Sequence, residues 1–189
     1  MKRIIVLIGL SFMFANVSGQ YKVNDKIYID KGRFGGERIY IQASSENKFT
    51  NIDVSLKKID KIHSILFEIK NKLSYWQEIA ERDSIEYVNK EFKSEYNFYA
   101  SVNWSNGAEW WSNSGILIIP YFKVENGKGW LNFRLSQTIS ASVNRYIRLK
   151  DFSWNFYSVE EIDAFIEATQ QGNIKKALEK GVSDHNLFK

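Results

Sequence analysis

The most regular pattern of apolar and polar positions lies in the first half of the chain. Apolar side chains recur at alternating intervals of three and four residues, at Ile59, Ile62, Leu66, Ile69, Leu73, Trp76 and Ala80. Lysines and glutamates occupy many of the positions between them. This spacing gathers the apolar side chains on one stripe of an α-helix, and Asn51 or Asp53 can cap its N-terminus. The pattern therefore predicts a helix from near Asp53 to near Arg82.

The apolar stripe of this helix allows two interpretations. Its heptad spacing is compatible with a coiled-coil seam that joins a homodimer along Ile59 to Ala80. The other interpretation is a long helix that packs across a sheet. His63 and Ile65 widen the apolar face beyond a narrow seam, which favours the packed helix.

Strand-like alternation appears on both sides of the helix. Before it, 27–29 and 39–41 alternate around a glycine-rich turn at 31–36, which predicts a hairpin. After it, alternating or continuous apolar segments predict further strands at 100–104, 116–122, 131–135, 147–149 and 152–156. Asn126-Gly127 lies between two of these segments and is a strong signal for a tight hairpin.

The end of the chain returns to helical signals. Ser158 and Glu161 form a capping box that predicts a helix ending near Gly172. Asn173 can cap a last short helix that ends by Gly181. Strands that come in runs, with helices grouped elsewhere, are typical of α+β proteins. We therefore expect a mostly antiparallel sheet of about six or seven strands, with the long helix and two short C-terminal helices packed on one face.

The N-terminus has the layout of a secretory signal peptide. Lys2 and Arg3 precede a 12-residue apolar run from Ile4 to Ala15, and the small residue Gly19 marks a cleavage position. A bilayer-spanning helix needs about 20 apolar residues, so a stable membrane anchor is not expected. Residues 1–19 are predicted to be removed, which leaves 20–189 as one globular domain in the periplasm or outside the cell.

Charge and composition narrow the function classes. The chain has 26 Lys and Arg against 22 Asp and Glu, and the signal peptide removes two of the basic residues, so the mature chain carries 24 − 22 = +2. A charge this small argues against a nucleic-acid partner. The chain contains no cysteine, which excludes disulfides, thiol nucleophiles and cysteine-based metal sites. No histidine or carboxylate motif has metal-ligand spacing, so neither metal nor cofactor is expected.

A tryptophan-rich segment is the first candidate binding site. Residues 104–115 hold three of the six tryptophans among small and amide residues. Indole faces beside amide and carboxylate groups suit a sugar ring or a protein surface. The candidate binding residues are Trp104, Asn106, Glu109, Trp110 and Trp111. The alternative is that the segment is a turn whose tryptophans pack onto the sheet as a small core.

The sheet face opposite the helices is the second candidate. If the apolar positions of the strands point toward the helices, the pleat turns polar and aromatic side chains to the other side. The candidate binding residues on this face are Tyr28, Tyr40, Asn132 and Arg134. A solvated face of an antiparallel sheet would have a similar composition.

These observations favour a non-enzymatic, exported binding protein with a protein or carbohydrate partner. Two alternatives remain open at this point. The first is a hydrolase of an extracellular polymer that works through carboxylates, with Glu109 as the nearest candidate. The second is the structural homodimer joined by the long helix.

Overall fold

The computed structural model describes residues 20–24, 26–30 and 37–186, with side chains described for 26–29 and 37–179. The predicted signal peptide and the turn at 31–36 lie outside these residues. The strands are β1 Gln20–Asn24, β2 Ile27–Asp30, β3 Arg38–Ser45, β4 Phe49–Ser55, β5 Tyr87–Glu91, β6 Phe98–Ser105, β7 Trp110–Glu125, β8 Lys128–Leu135, β9 Ile139–Ser140, β10 Arg148–Leu149 and β11 Phe152–Phe156. The helices are α1 Ile59–Arg82, α2 Val159–Ala168 and α3 Gln171–Asn186.

Nine of the described strands form one antiparallel sheet, and β9 and β10 form a separate two-stranded ribbon. Eight of the nine follow one path in the order β1-β2-β3-β11-β8-β7-β6-β4, while β5 pairs with β7. β3 also pairs with β4, so β3, β4, β6, β7, β8 and β11 close a ring of six strands. The predicted α+β class, antiparallel sheet and three helices are confirmed, and the sheet has more strands than expected.

The ring closes because β3 is longer than β2, its neighbour. Along β3, the pairing with β2 ends where Ile27 faces Ile41. Beyond that point the same edge of β3 is taken by β11, where Ser44 faces Ser153. From Trp154 onward, β11 pairs with β8 instead, so β2 and β11 diverge from one another.

The core lies on the inner side of the strands, as period-two alternation requires. Inward-facing residues such as Ile52, Val102, Ile118 and Phe133 are fully buried. The apolar stripe of α1 packs into the same core, and its residues from Ile59 to Leu73 on that stripe have almost no exposed surface. A dimer seam would need this stripe at the surface, so the structure favours the packed-helix interpretation.

Several local predictions agree with the structure. Ile27 pairs with Ile41 in the first hairpin. Asn126 and Gly127 both have positive φ, 52° and 75°, as a tight hairpin turn requires. The hydroxyl of Ser158 accepts a hydrogen bond from the backbone N–H of Glu161 at 3.3 Å, which caps α2. The Glu161 carboxylate in turn accepts from the N–H of Tyr157 at 2.8 Å.

The predicted start of the long helix was wrong. Residues 49–55 form β4, and α1 begins only at Ile59 after a short 3-10 turn. Asn51 and Asp53 are strand residues paired with β3 and β6, so neither caps the helix. The alternation of Ile52 and Val54 with polar neighbours, combined with pairing on both edges, outweighs the capping signal.

The C-terminal helices also differ from their predicted bounds. α2 ends at Ala168, before the predicted Gly172, and α3 extends to Asn186, past Gly181. Asn173 lies inside α3, where its side-chain amide donates to the Glu167 carbonyl at 2.7 Å. No helix in the described part of the chain combines the length and apolar character needed to cross a membrane.

Candidate functional site

The tryptophan-rich segment folds as the tip of the β6–β7 hairpin. β6 ends at Ser105 and β7 begins at Trp110, so only four residues form the loop. The Asn106 side-chain oxygen accepts hydrogen bonds from the N–H groups of Ala108 and Glu109 at 2.9 and 3.1 Å. Asn106 therefore shapes the loop, and the Glu109 side chain points into solvent from it.

The three tryptophans of this segment have different environments. Trp104 is fully buried and lies between Thr50 and Trp111 in the strand register. Trp111 is half-buried and packs against the core. Trp110 faces the other side of the strand and is 53% exposed. A partner can therefore reach Trp110 freely and Trp111 in part, whereas Trp104 belongs to the core.

Trp110 forms an aromatic pair with Phe49 on the outer side of the sheet. Phe49 and Trp110 flank Ser105 in the strand register, and their rings stack with centroids 6.1 Å apart and an interplanar angle of 19°. Ser105 is fully buried beneath them, and the ammonium of Lys48 lies 5.5 Å from the centre of the Phe49 ring. Phe49 was not predicted as a site residue, because residues near it were interpreted as a helix start.

A row of amide and hydroxyl side chains lies next to the aromatic pair, two residues further along the strands. It crosses four strands through the pairs Gln42–Asn51, Asn51–Asn103 and Asn103–Ser112. Within the described part of the chain, these four side chains make no hydrogen bond. The row therefore presents donors and acceptors that are available to a partner.

The predicted tyrosines continue the same surface. Tyr28 pairs with Tyr40, and Tyr40 pairs with Asp53 in the row next to the amide row. The Arg38 guanidinium donates to Asp53 at 2.5 Å, and this hydrogen bond raises the pKa of Arg38. We call this surface the aromatic–amide face. It consists of Tyr28, Tyr40, Gln42, Phe49, Asn51, Asn103, Trp110 and Ser112.

The β9–β10 ribbon lies beside one end of the aromatic–amide face. The Ser142 N–H donates to the Ser112 carbonyl at 2.9 Å, which attaches the ribbon to β7. The ribbon's tip carries Val143 and Tyr146, which are 82% and 75% exposed. The guanidinium of Arg145 lies 5.1 Å from the centre of the Tyr146 ring. The β6–β7 hairpin and the ribbon are thus joined at Ser112, and each carries exposed apolar side chains at its tip.

Asn132 and Arg134 lie in a different part of the sheet. They pair with Tyr121 and Ile119, at least seven positions beyond Ser112 on β7. Asn132 is almost fully buried, donates to Ser153 and Asn155 at 2.6 and 2.7 Å, and accepts from Arg134. The hydrogen-bonding capacity of Asn132 is thus largely used within the sheet, and Arg134 is tied to it.

The same network extends to Tyr121 and Glu91. The Arg134 guanidinium lies 5.3 Å from the centre of the Tyr121 ring, and the Tyr121 hydroxyl donates to Glu91 at 3.0 Å. Burial, assisted by this bond to Glu91, raises the pKa of Tyr121. The predicted sheet-face site is thus divided: its tyrosines join the tryptophan tip, and its Asn–Arg pair does not.

Two clefts open away from the Trp110 tip, and the second is bordered by Gln42 of the aromatic–amide face. The first, of about 690 Å³, lies between the end of α1, the β7–β8 turn and Tyr157, and its lining includes Glu81 and Glu86. The second, of about 500 Å³, opens where β2 and β3 diverge from β11 and is bordered by α2. Glu109, the predicted hydrolase residue, lines neither cleft.

Within the described residues, no group of three or more histidine and carboxylate side chains is arranged to hold a metal ion. Comparison of the chain with protein-family models, curated proteins and solved structures gave no match. The functional assignment therefore depends on the geometry of the faces and clefts described above.

Proposed function

We propose that this chain is an exported, non-enzymatic binding protein that captures a protein partner through the aromatic–amide face and the adjoining ribbon tip. The observation that carries the proposal is the exposed Trp110, stacked on Phe49 over the buried Ser105. A large aromatic ring that is held in place by a neighbour, yet remains exposed, supplies contact area at low entropic cost.

The residue types around Trp110 support a protein partner. Tryptophan, tyrosine and arginine dominate the energetics of protein interfaces, and Trp110, Tyr146 and Arg145 occupy neighbouring tips. The amide row beside them supplies hydrogen bonds of the kind found around the apolar centre of an interface. Val143 adds exposed apolar surface at the ribbon tip beside Tyr146, and clustered exposed apolar side chains are typical of interaction sites.

Site-specific photo-crosslinking in the source cells tests the proposal. Trp110 and Tyr146 would each be replaced by a photoreactive phenylalanine derivative, and Tyr75 and Tyr87 serve as controls because they are similarly exposed on other surfaces. We expect the same protein adduct from positions 110 and 146 and none from 75 or 87. An untagged competitor should suppress the adduct, and its Trp110→Ala variant should not.

Two results would contradict the proposal. One is the absence of any protein adduct at positions 110 and 146. The other is an adduct pattern that is the same at all four positions, which would indicate nonspecific contact. A glycan partner, the other class considered for this face, would give no protein adduct and would make Trp110→Ala lose binding to an immobilised glycan.

A further inference from the structure

The two clefts meet at one exposed aromatic residue. Tyr157 lines both of them and is 58% exposed. The first cleft continues from Tyr157 to Trp130, and the second continues from Tyr157 along Asn155 and Ser153 to Ser44. The two clefts therefore adjoin at Tyr157, and we call the pair the Tyr157 groove.

The position of Tyr157 is fixed by its backbone. Its N–H donates to the Glu161 carboxylate at 2.8 Å, and its carbonyl accepts from the Gln77 side-chain amide at 3.0 Å. Gln77 also donates to the Gly129 carbonyl at 2.8 Å, so it ties β11 to the β7–β8 hairpin. The Tyr157 ring packs against Trp130 with centroids 6.0 Å apart. An exposed ring held in this way is pre-organised for a ligand.

The lining of the groove combines apolar and aromatic side chains with amide and hydroxyl groups, and its net charge is close to zero. The charged residues of its lining are Glu81, Glu86, Lys128, Lys26 and Glu161, which sum to 2 − 3 = −1. Amide and hydroxyl groups line both clefts, and the side chains of Ser44 and Asn126 make no hydrogen bond to any described residue. A slightly negative lining disfavours polyanions such as nucleic acids and acidic polysaccharides.

We infer that the Tyr157 groove binds an uncharged glycan chain. Sugar rings pair an apolar face with hydroxyl groups, which matches aromatic rings set beside amides and carboxylates. Each cleft has a volume within the range of about 300–1,000 Å³ that is usual for small-ligand sites. Two such clefts that adjoin at one aromatic residue suit several linked sugars better than one compact molecule. Apart from Gln42, this groove shares no residue with the aromatic–amide face.

Affinity electrophoresis of the mature chain in gels that contain one soluble polysaccharide each tests the inference. The panel would contain neutral β-glucans, xylan and mannan together with acidic alginate. We expect retardation by at least one neutral polysaccharide, and Tyr157→Ala and Trp130→Ala should each weaken it at least tenfold. Trp110→Ala should bind like the wild type, which separates this groove from the proposed protein-binding face.

Oligosaccharides of defined length test the joining of the two clefts. Calorimetry with the matching hexasaccharide and disaccharide should show at least tenfold tighter binding of the longer chain. Ser44→Trp, which narrows the second cleft, should lower the affinity for the hexasaccharide to that for the disaccharide. Thermal melting of each variant confirms folding, and Tyr157→Phe, which keeps the ring, should retain binding.

Three outcomes would overturn the inference. The first is the absence of retardation by every neutral polysaccharide of the panel. The second is a preference for alginate. The third is binding that Trp110→Ala abolishes and Tyr157→Ala preserves, since this would place the glycan on the aromatic–amide face.

Discussion

The rings of Trp110 and Phe49 lie nearly parallel, 6.1 Å apart, over the buried side chain of Ser105. A small residue between two aromatic ones lets the rings approach each other across a strand. On the opposite side of the same strand, the neighbouring Trp104 is fully buried. The β6–β7 hairpin therefore contributes Trp104 to the core and Trp110 to the surface.

This difference predicts opposite effects of two tryptophan substitutions. Trp104→Ala should lower the free energy of unfolding by about 3–5 kcal/mol, because it leaves a large cavity in the core. Trp110→Ala should lower it by about 1 kcal/mol or less, since only a ring contact is lost. Urea denaturation of the two variants measures both values. Similar losses for the two would contradict the assignment of Trp110 to the surface.

Elements set by local sequence were predictable. The stripe of α1, the Asn126-Gly127 turn and the Ser158 capping box each depend on residues a few positions apart. β4 was missed because residues 49–55 carry a capping signal as well as strand alternation, and pairing with β3 and β6 decides between them. The ring could not be predicted, because Ser44 meets Ser153 across more than a hundred residues.

The same distinction applies to the candidate sites. Trp110 was identified from composition, but its partner Phe49 lies on another strand and becomes its neighbour only through the register of β4, β6 and β7. Tyr157 and Gln77 join the walls of a groove from elements 80 positions apart. The spacing of residues along the sequence does not predict such a contact. Site residues that depend on tertiary pairing therefore required the structure.

Gly129 is predicted to be intolerant of any side chain. A Cβ atom there would lie 2.7 Å from Phe122 Cζ and 3.3 Å from Gln77 Cγ. Because Phe122 is buried and packs on Trp76, Gly129→Ala should cost about 1–3 kcal/mol of unfolding free energy. Gly172→Ala is the matched control, since nothing lies within 4 Å of its Cβ position. Thermal melting that shows equal stability for the two variants would contradict this packing.

The Ser158 cap predicts a moderate loss of stability. Ser158→Ala removes the acceptor for the Glu161 N–H and should destabilise the protein by about 1 kcal/mol. Ser64→Ala is the control, because Ser64 lies inside α1 and its hydroxyl donates to the Asp60 carbonyl. Alanine there should be neutral or slightly stabilising, since alanine is the better helix former. Chemical denaturation compares the two, and no difference between them would show that the cap contributes nothing.

The proposed export predicts a defined mature N-terminus. Expression in the source cells should yield an extracytoplasmic protein that begins at Gln20, because Val17 and Gly19 fit the small-residue cleavage pattern. Intact-mass measurement of the purified protein tests this. Gly19→Pro should block cleavage at that bond and leave residues 1–19 attached. Full-length protein recovered only from the cytoplasm would contradict the proposal.

His63 predicts a dependence of stability on pH. Its ring nitrogen Nε2 lies 2.7 Å from the Thr169 hydroxyl oxygen, which itself donates to the Phe165 carbonyl, so Nε2 carries the proton in this bond. Burial lowers the pKa of His63, and the nearby Asp60 opposes this only in part. The unfolded chain therefore binds a proton more readily than the folded one.

It follows that the contribution of His63 to the free energy of unfolding is fully present above its unfolded pKa of about 6.5. This contribution is lost as pH falls through that value toward the folded pKa. The free energy of unfolding can be measured by urea denaturation at about pH 7.5 and at about pH 5.5. Its decrease from the higher to the lower pH should be larger in the wild type than in His63→Gln, which cannot titrate in this range. The difference between the two slopes isolates His63 from the carboxylates that titrate in both proteins. Parallel slopes would show that His63 has the same pKa in both states, and a shallower slope in the wild type would mean that its folded pKa is raised.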